Sequence, residues 1–319
     1  MSKKISWILI SAAIIMLCGT AAAKTWRLGE DEQWQEVSED EQGRYLMAVA
    51  EVKKLVNSGE PAAAEKALEK LKETLPETIG EEFEAFIEAE LLLAKGKFDK
   101  AVRSYDKFLD EHPRSQLYES ALDRQFQVAT AYLAGHKRRI LKLFSIRGYS
   151  EGVSIMEKIA ARTGDAPIAK RAMTSIARSY EKRGRFTEAY ETWSEISSRW
   201  PGGDLGRQAL LGMARSMHAA YRGPKYDASS LISARGYYQE FQMRYKEYAE
   251  EIGVEQILED IEEQIAYKQY TIGEYYDRTG SRLAANLYYQ HVTDDWPDST
   301  AAQLVEKATD KEMTQEKEK

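Results

Sequence analysis

Small and large apolar positions recur along this chain at a fixed interval. A Gly is followed five residues later by an Ala, and twelve after that by a Pro: Gly59, Ala64, Pro76; Gly96, Ala101, Pro113; Gly184, Ala189, Pro201; Gly280, Ala285, Pro297. Two further segments, Gly152 to Gly164 and Ala234 to Lys246, keep the twelve-residue interval with altered markers, which makes six copies. Four residues after each small marker stands a large side chain: Leu68, Tyr105, Met156, Trp193, Tyr238 and Tyr289. That spacing keeps both on one face of a helix. The Gly supplies the positive φ at which a preceding helix stops, and the Pro ends the second helix. The preceding helix repeats as well, with Ala89, Ala177 and Gly273 twelve residues before the second-helix Ala. Each copy predicts a helical hairpin whose apolar face is buried only by stacking on its neighbours.

This is the tetratricopeptide pattern. The expected fold is all-α, a right-handed superhelical solenoid of about six such hairpins over 41–311, with 312–319 a disordered tail. The sixth hairpin's first helix reads as one long helix from about Glu250 to Thr279, and a last helix ends near Ala308. Ahead of the array, residues 1–23 read as an export signal: Lys3 and Lys4, an apolar run from Ile5 to Leu17, then small residues ending at Ala23. Cleavage after Ala23 leaves 24–40 as an extended lead-in. Lipidation at Cys18 is the competing outcome, although Leu17 stands where a lipobox wants a small residue.

One interval is too long. Ala101 to Gly152 spans 51 residues where its neighbours span 37, and the surplus falls on Gly135–Gly148. It is basic (Lys137, Arg138, Arg139, Lys142) and reads either as an extension of a first helix or as an edge insertion touching anionic lipid or an acidic partner.

Charge and composition narrow the function. A formal charge of −7 over 319 residues makes nucleic acid an unsuitable partner. The single Cys lies in the leader, so the exported chain has no disulfide or thiol nucleophile. Gly148-Tyr-Ser150-Glu-Gly152 matches the G-x-S-x-G elbow of hydrolases, but the later histidines, His218 and His291, fall inside repeat helices. Four scattered histidines show no metal-ligand spacing, and no phosphate-binding glycine loop occurs. The expectation is a protein with no enzymatic activity, cofactor, metal or small-molecule substrate.

In arrays of this pattern the inner wall is lined by each hairpin's first helix. The corresponding positions include Phe83 and Phe86 with Glu90, then Phe126, Arg171, Arg178, Arg215, Tyr267 and Tyr270. Aromatics around a central Arg group suit an extended peptide carrying an aromatic residue and a carboxylate. The alternative is that the charged residues only bridge neighbouring helices.

Two stretches carry a resemblance. Gly223-Pro-Lys-Tyr-Asp227 is followed by Leu231, Ala234, Phe241 and Arg244-Tyr245; Glu262, Ile265, Lys268 and Tyr270 lead through Tyr275-Tyr276 to Trp296-Pro297. They resemble the last two repeats of the BamD family, periplasmic lipoproteins of the machine that assembles outer-membrane β-barrels. The resemblance implies a periplasmic adaptor at the inner face of the outer membrane. It further implies a β-barrel insertase docking through its POTRA domain on the last two hairpins, around Lys225, Tyr226, Asp227, Tyr275 and Tyr276. Unfolded outer-membrane proteins would be received near Phe83, Phe86 and Phe126. The chain departs from the family in its poor lipobox and in having six hairpins for five. A periplasmic scaffold linking the Tol–Pal system to cell-wall synthesis is the other reading.

Overall fold

The structure, a computed structural model, describes residues 26–28, 34–36, 41–74, 81–140 and 144–317. Cys18, Lys142 and the leader lie outside them. The chain divides into two compact units, one ending at Ala121 and the other beginning at Leu122.

In the first unit the lead-in is a two-stranded antiparallel ribbon, β1 (Trp26–Leu28) against β2 (Trp34–Glu36). Two hairpins follow: α1 (Glu41–Asn57) with α2 (Pro61–Thr74), and α3 (Glu81–Ala94) with α4 (Phe98–Glu111). Ala64 and Ala101 are fully buried, as the interval requires, and so are Leu68 and Tyr105 four residues on. Small residues at these positions let paired helices approach closely. Phe86 packs edge-on against Phe108, with ring centroids 5.6 Å apart. Beneath it the Tyr105 hydroxyl donates to the Glu90 carboxylate at 2.6 Å, with both residues buried. Lys95 at the end of α3 pairs with Glu65 on α2, tying the two hairpins together.

The helix α5 (Tyr118–Leu133) starts in the first unit, and the second contains its greater part, then β3 (Lys137–Ile140), β4 (Phe144–Arg147), α6 (Tyr149–Thr163), α7 (Pro167–Lys182), α8 (Phe186–Arg199), α9 (Gly203–Ala220), α10 (Ser229–Arg244), a short α11 (Lys246–Glu251), α12 (Val254–Arg278), α13 (Arg282–Asp295) and α14 (Thr300–Lys317). Gly184 takes φ +71° between α7 and α8, and Gly280 takes +82° between α12 and α13. At the other end of these hairpins the N–H of Trp200 closes on Ile196 and that of Trp296 on Val292, each just before its Pro. Leu231, Ala234, Tyr238, Phe241, Val254 and Ile261 form part of one continuous core, and Ala266, Val292, Ala301 and Val305 part of a second.

Three expectations are corrected. The insertion is not an extension of the first helix: β3 and β4 within it form an antiparallel ribbon, Lys137 opposite Arg147 and Ile140 opposite Phe144. Alternating polar and β-branched or aromatic residues between Gly135 and Gly148 favour strands, and Gly148 closes the ribbon by donating to the His136 carbonyl at 3.0 Å. The helix expected from Glu250 is broken by Gly253, which adopts a left-handed φ of +69° and starts α12 afresh. The tail is helical to Lys317, because Ala, Gln, Glu, Lys and Met all favour helix.

Both glycines of the G-x-S-x-G motif serve packing. A Cβ at Gly148 would come within 2.3 Å of the Tyr132 ring, and one at Gly152 within 2.9 Å of the Ala129 carbonyl. They let α6 press against α5, while Ser150 is exposed on the first turn of α6.

Candidate partner-binding surface

The first two groove residues fail. Phe83 and Phe86 are 1% and 0% exposed. The inner-wall offset picked out residues of α3 that its neighbours cover, and Phe86 fills the space toward α4 instead. Glu90, at 0% exposure, goes with them.

In the second unit, the central Arg group is largely engaged. Arg171 lies 4.5 Å from the Phe126 ring. Arg178 donates to Gln208 at 3.0 Å. Arg215 pairs with Glu181 at 3.1 Å, and the same carboxylate accepts the Trp193 indole N–H at 3.0 Å. These arginines bridge successive hairpins. An incoming carboxylate would have to displace Glu181 from Arg215, so this part of the wall is suited to holding helices in register.

The aromatic part is open. Tyr267 is 43% exposed and lies 6.0 Å from Tyr270, which stacks on Tyr289 at 5.9 Å. Tyr267, Tyr221, Pro224, Glu263 and Gln264 line an open pocket of about 250 Å³, room for one aromatic side chain. The Tyr221 hydroxyl is buried without a hydrogen-bond partner, and burial pushes its pKa up, keeping it a neutral donor.

Behind this wall, His218 joins α9 to α12 through a 3.2 Å contact between its Nε2 and the Gln264 amide nitrogen. Burial holds the imidazole below its ordinary pKa, outweighing the raising effects of Gln264 and Asp260. The neutral ring is therefore favoured in the folded state. A folded pKa below the unfolded one makes this contribution complete above about pH 6.5 and lost as the pH falls through the folded value. Urea denaturation at pH 7.5 and 5.0 should show a stability loss that is smaller in His218→Gln; an equal loss in both proteins would contradict the assignment.

The loop 223–227 is fixed rather than loose. Lys268 on α12 donates to the Pro224 carbonyl at 2.7 Å, Tyr226 N–H closes on Gly223 at 3.0 Å, and Arg222 lies 4.4 Å from the Tyr226 ring. Hydrogen bonds from Ser229 hold the Asp227 carboxyl below the usual carboxylate range. Lys225 and Tyr226 are left at the surface. Lys268→Met keeps the stem but removes a charged hydrogen bond, with an expected cost of about 1.5–3 kcal/mol. Faster amide exchange at Tyr226, with the α9 core amides unchanged, is the signature to measure.

Tyr275 is 55% exposed, whereas Tyr276 is half-buried and stacks on Tyr288 at 5.7 Å. The larger apolar feature here was missed from sequence: Leu283 and Leu287 on α13 are 80% and 63% exposed. They lie two residues before and after Ala285, about 200° round the helix from the buried face. An i, i+4 leucine pair opposite the core stripe was the available signal.

Among the described residues, no group of three or more His, Cys, Asp or Glu is placed to hold a metal ion, and no helix is long and apolar enough to cross a membrane.

Residues 86–115 match the tetratricopeptide repeat family. Among solved structures, the chain is similar to PilW, described as a widely conserved type IV pilus biogenesis factor, at 16% identity and a TM-score of 0.30, covering 82% of this chain and 97% of that one. It is also similar to a tetratricopeptide repeat protein from Parabacteroides merdae at 10% identity and a TM-score of 0.34, with the same coverages of 82% and 97%. No curated protein matches the chain. The repeat match and the hairpin geometry together make this an all-α tetratricopeptide-type helical scaffold.

Proposed function

We propose that the protein is a non-enzymatic adaptor of the BamD type, exported to the periplasm and working at the inner face of the outer membrane. Its last two hairpins dock the POTRA domain of a β-barrel insertase, and its aromatic wall receives segments of unfolded outer-membrane proteins. The observation that carries the reading is the uncovered apolar surface of the final hairpin: Leu283, Leu287 and Tyr275 are each more than half exposed. Such apolar surface is characteristic of protein contact sites. It belongs to the same hairpins that bear the Gly223–Asp227 and Tyr275–Pro297 motifs.

The substrate part of the reading shifts with the structure. Phe83 and Phe86 are committed to the core, so Phe126, Tyr267, Tyr270 and the cavity beside Tyr221 remain as the receiving surface. A neutral phenol donor beside an apolar cavity suits an aromatic side chain followed by a backbone carbonyl.

The test is a photo-crosslinking amino acid at Leu287 in living cells, with captured partners identified by mass spectrometry. A β-barrel insertase captured at Leu287 but not at the exposed helix position Glu157 is expected. Capture of Tol–Pal or cell-wall synthesis proteins alone would replace the assembly role with the scaffold reading.

A further inference from the structure

The outward face of α10 carries a second stripe. Leu231, Ala234, Tyr238 and Phe241 are buried in the core, while Ile232, Gly236, Gln239 and Met243 stand about 150° round the helix from them. Ile232 is 51% and Met243 79% exposed. Intervals of four, three and four residues keep these positions on one face over about three turns, roughly 16 Å. Nothing within the chain requires the glycine. Gly236 lies mid-helix without a positive φ, and a Cβ added there would meet no atom within 4 Å. Gly212 and Gly273 are different, since a Cβ at either would strike Trp193 or Tyr289 at 2.5 or 2.6 Å. A mid-helix glycine weakens its helix, and what it offers in return is close approach by another backbone.

Beside the stripe runs an open groove of about 740 Å³ between α10 and the first turns of α12, with Gln239, Met243, Ala249, Gly253, Glu255 and Glu259 among its lining. Further along α12, Glu262 pairs with Arg235 of α10 at 3.1 Å and bridges the two helices. The groove itself is acidic. Lys246 and Glu250 pair with each other along α11 at 4.0 Å. Glu255 and Glu259 remain, one turn apart on α12, both exposed and, among the described residues, without an ion-pair partner. Glu255 also complements the amino end of α12, but Glu259, a turn further in, has no such role.

We propose that this face docks a basic amphipathic helix of a partner protein. The helix crosses α10 at Gly236, its apolar ridge covers Ile232 and Met243, and its cations enter the groove to meet Glu255 and Glu259. An amphipathic helix presents anchors at i, i+3 or i+4 and i+7, a span that the stripe on α10 matches. A residue without a side chain at the crossing point lets the two helix axes come together. A lone cation would satisfy the carboxylates but leave Gly236 and the apolar stripe unexplained. An anionic membrane would meet Ile232 and Met243 but is repelled by the two carboxylates. The surface is built from other helices than α13, which bears Leu283 and Leu287.

The probe is a fluorescent peptide helix of about five turns, with Leu at three- and four-residue spacing along one face and Lys on its flanks, titrated with the whole protein. Its anisotropy should rise to saturation. Glu255→Gln with Glu259→Gln should weaken binding about tenfold, roughly threefold for each exposed charge pair lost, and high salt should erase that difference. Gly236→Gln should weaken binding by about tenfold or more, the effect of overfilling a close contact, yet melt higher than the parent because Gln favours helix. A glycine that served only the fold would not separate the two readouts in this way. No binding of the peptide, equal binding of a version with Glu in place of Lys, or full binding by Gly236→Gln would each overturn the proposal. Leu283→Ser with Leu287→Ser should leave the peptide affinity unchanged; a loss there would place the peptide on the final hairpin and overturn it as well. The result is thus separate from whether an insertase docks on that hairpin.

Discussion

Trp193→Ala should destabilise the second unit by about 3–5 kcal/mol, the range for emptying a buried large aromatic site. The indole is 1% exposed and hydrogen-bonds Glu181 on α7. Its other side meets α9 at Gly212, where a Cβ would come within 2.5 Å of the ring. One side chain thus joins three consecutive helices, and only a glycine leaves room for it. The coupling is sharper than the single cost. Gly212→Ala overpacks the native protein by about 1–3 kcal/mol. In the Trp193→Ala background the same change meets a cavity and gains about 1 kcal/mol of helix propensity. Urea denaturation of the four proteins in a double-mutant cycle should show Gly212→Ala changing sign. An equal cost in both backgrounds would mean that the two residues do not pack together.

Phe86→Ala should cost the first unit about 3–5 kcal/mol as well. A residue lining an open groove would be nearly neutral, within about 0.5 kcal/mol. Phe86 packs on both Phe108 and Tyr105 at centroid distances of 5.6 and 6.0 Å, so its removal opens the space between α3 and α4. Phe86→Leu, which refills much of that space, should recover most of the loss. Denaturant unfolding followed by amide exchange in α3 and α4 measures it. A stable Phe86→Ala protein with weakened peptide binding would restore the groove assignment.

Residues that act within one hairpin were legible from the chain. Each small marker (Ala64, Ala101, Gly152, Ala189, Ala234 and Ala285) is buried, because close approach of two helices joined by a short turn is set locally by spacing. The turn glycines were legible for the same reason.

Residues whose surroundings depend on the next hairpin were not. Phe83 and Phe86 are an exception, because the helix that covers Phe86, α4, belongs to the same hairpin, and the general inner-wall offset does not register that. For Arg215 the sequence left ligand contact and helix bridging both open, and only the fold brings up Glu181, 34 positions earlier, as its partner. The ribbon was hidden differently: its alternation is short, and a helical context made a helical extension the natural expectation. Leu283 and Leu287 were overlooked because the repeat fixes attention on the face of Ala285 and Tyr289, and these two exposed side chains lie opposite.

The central claim is that the final hairpin is where an insertase binds. Its most direct test is the affinity of the whole protein for the purified POTRA segment of the β-barrel insertase from the same cell, wild type against Leu283→Ser with Leu287→Ser. Exposed leucines contribute little to folding, so both proteins should melt alike to within about 0.5 kcal/mol. If the two leucines anchor the contact, the double variant binds at least about 30-fold more weakly, as loss of a single hot-spot residue would require. Equal affinity of the two proteins, or no binding by either, would contradict the account.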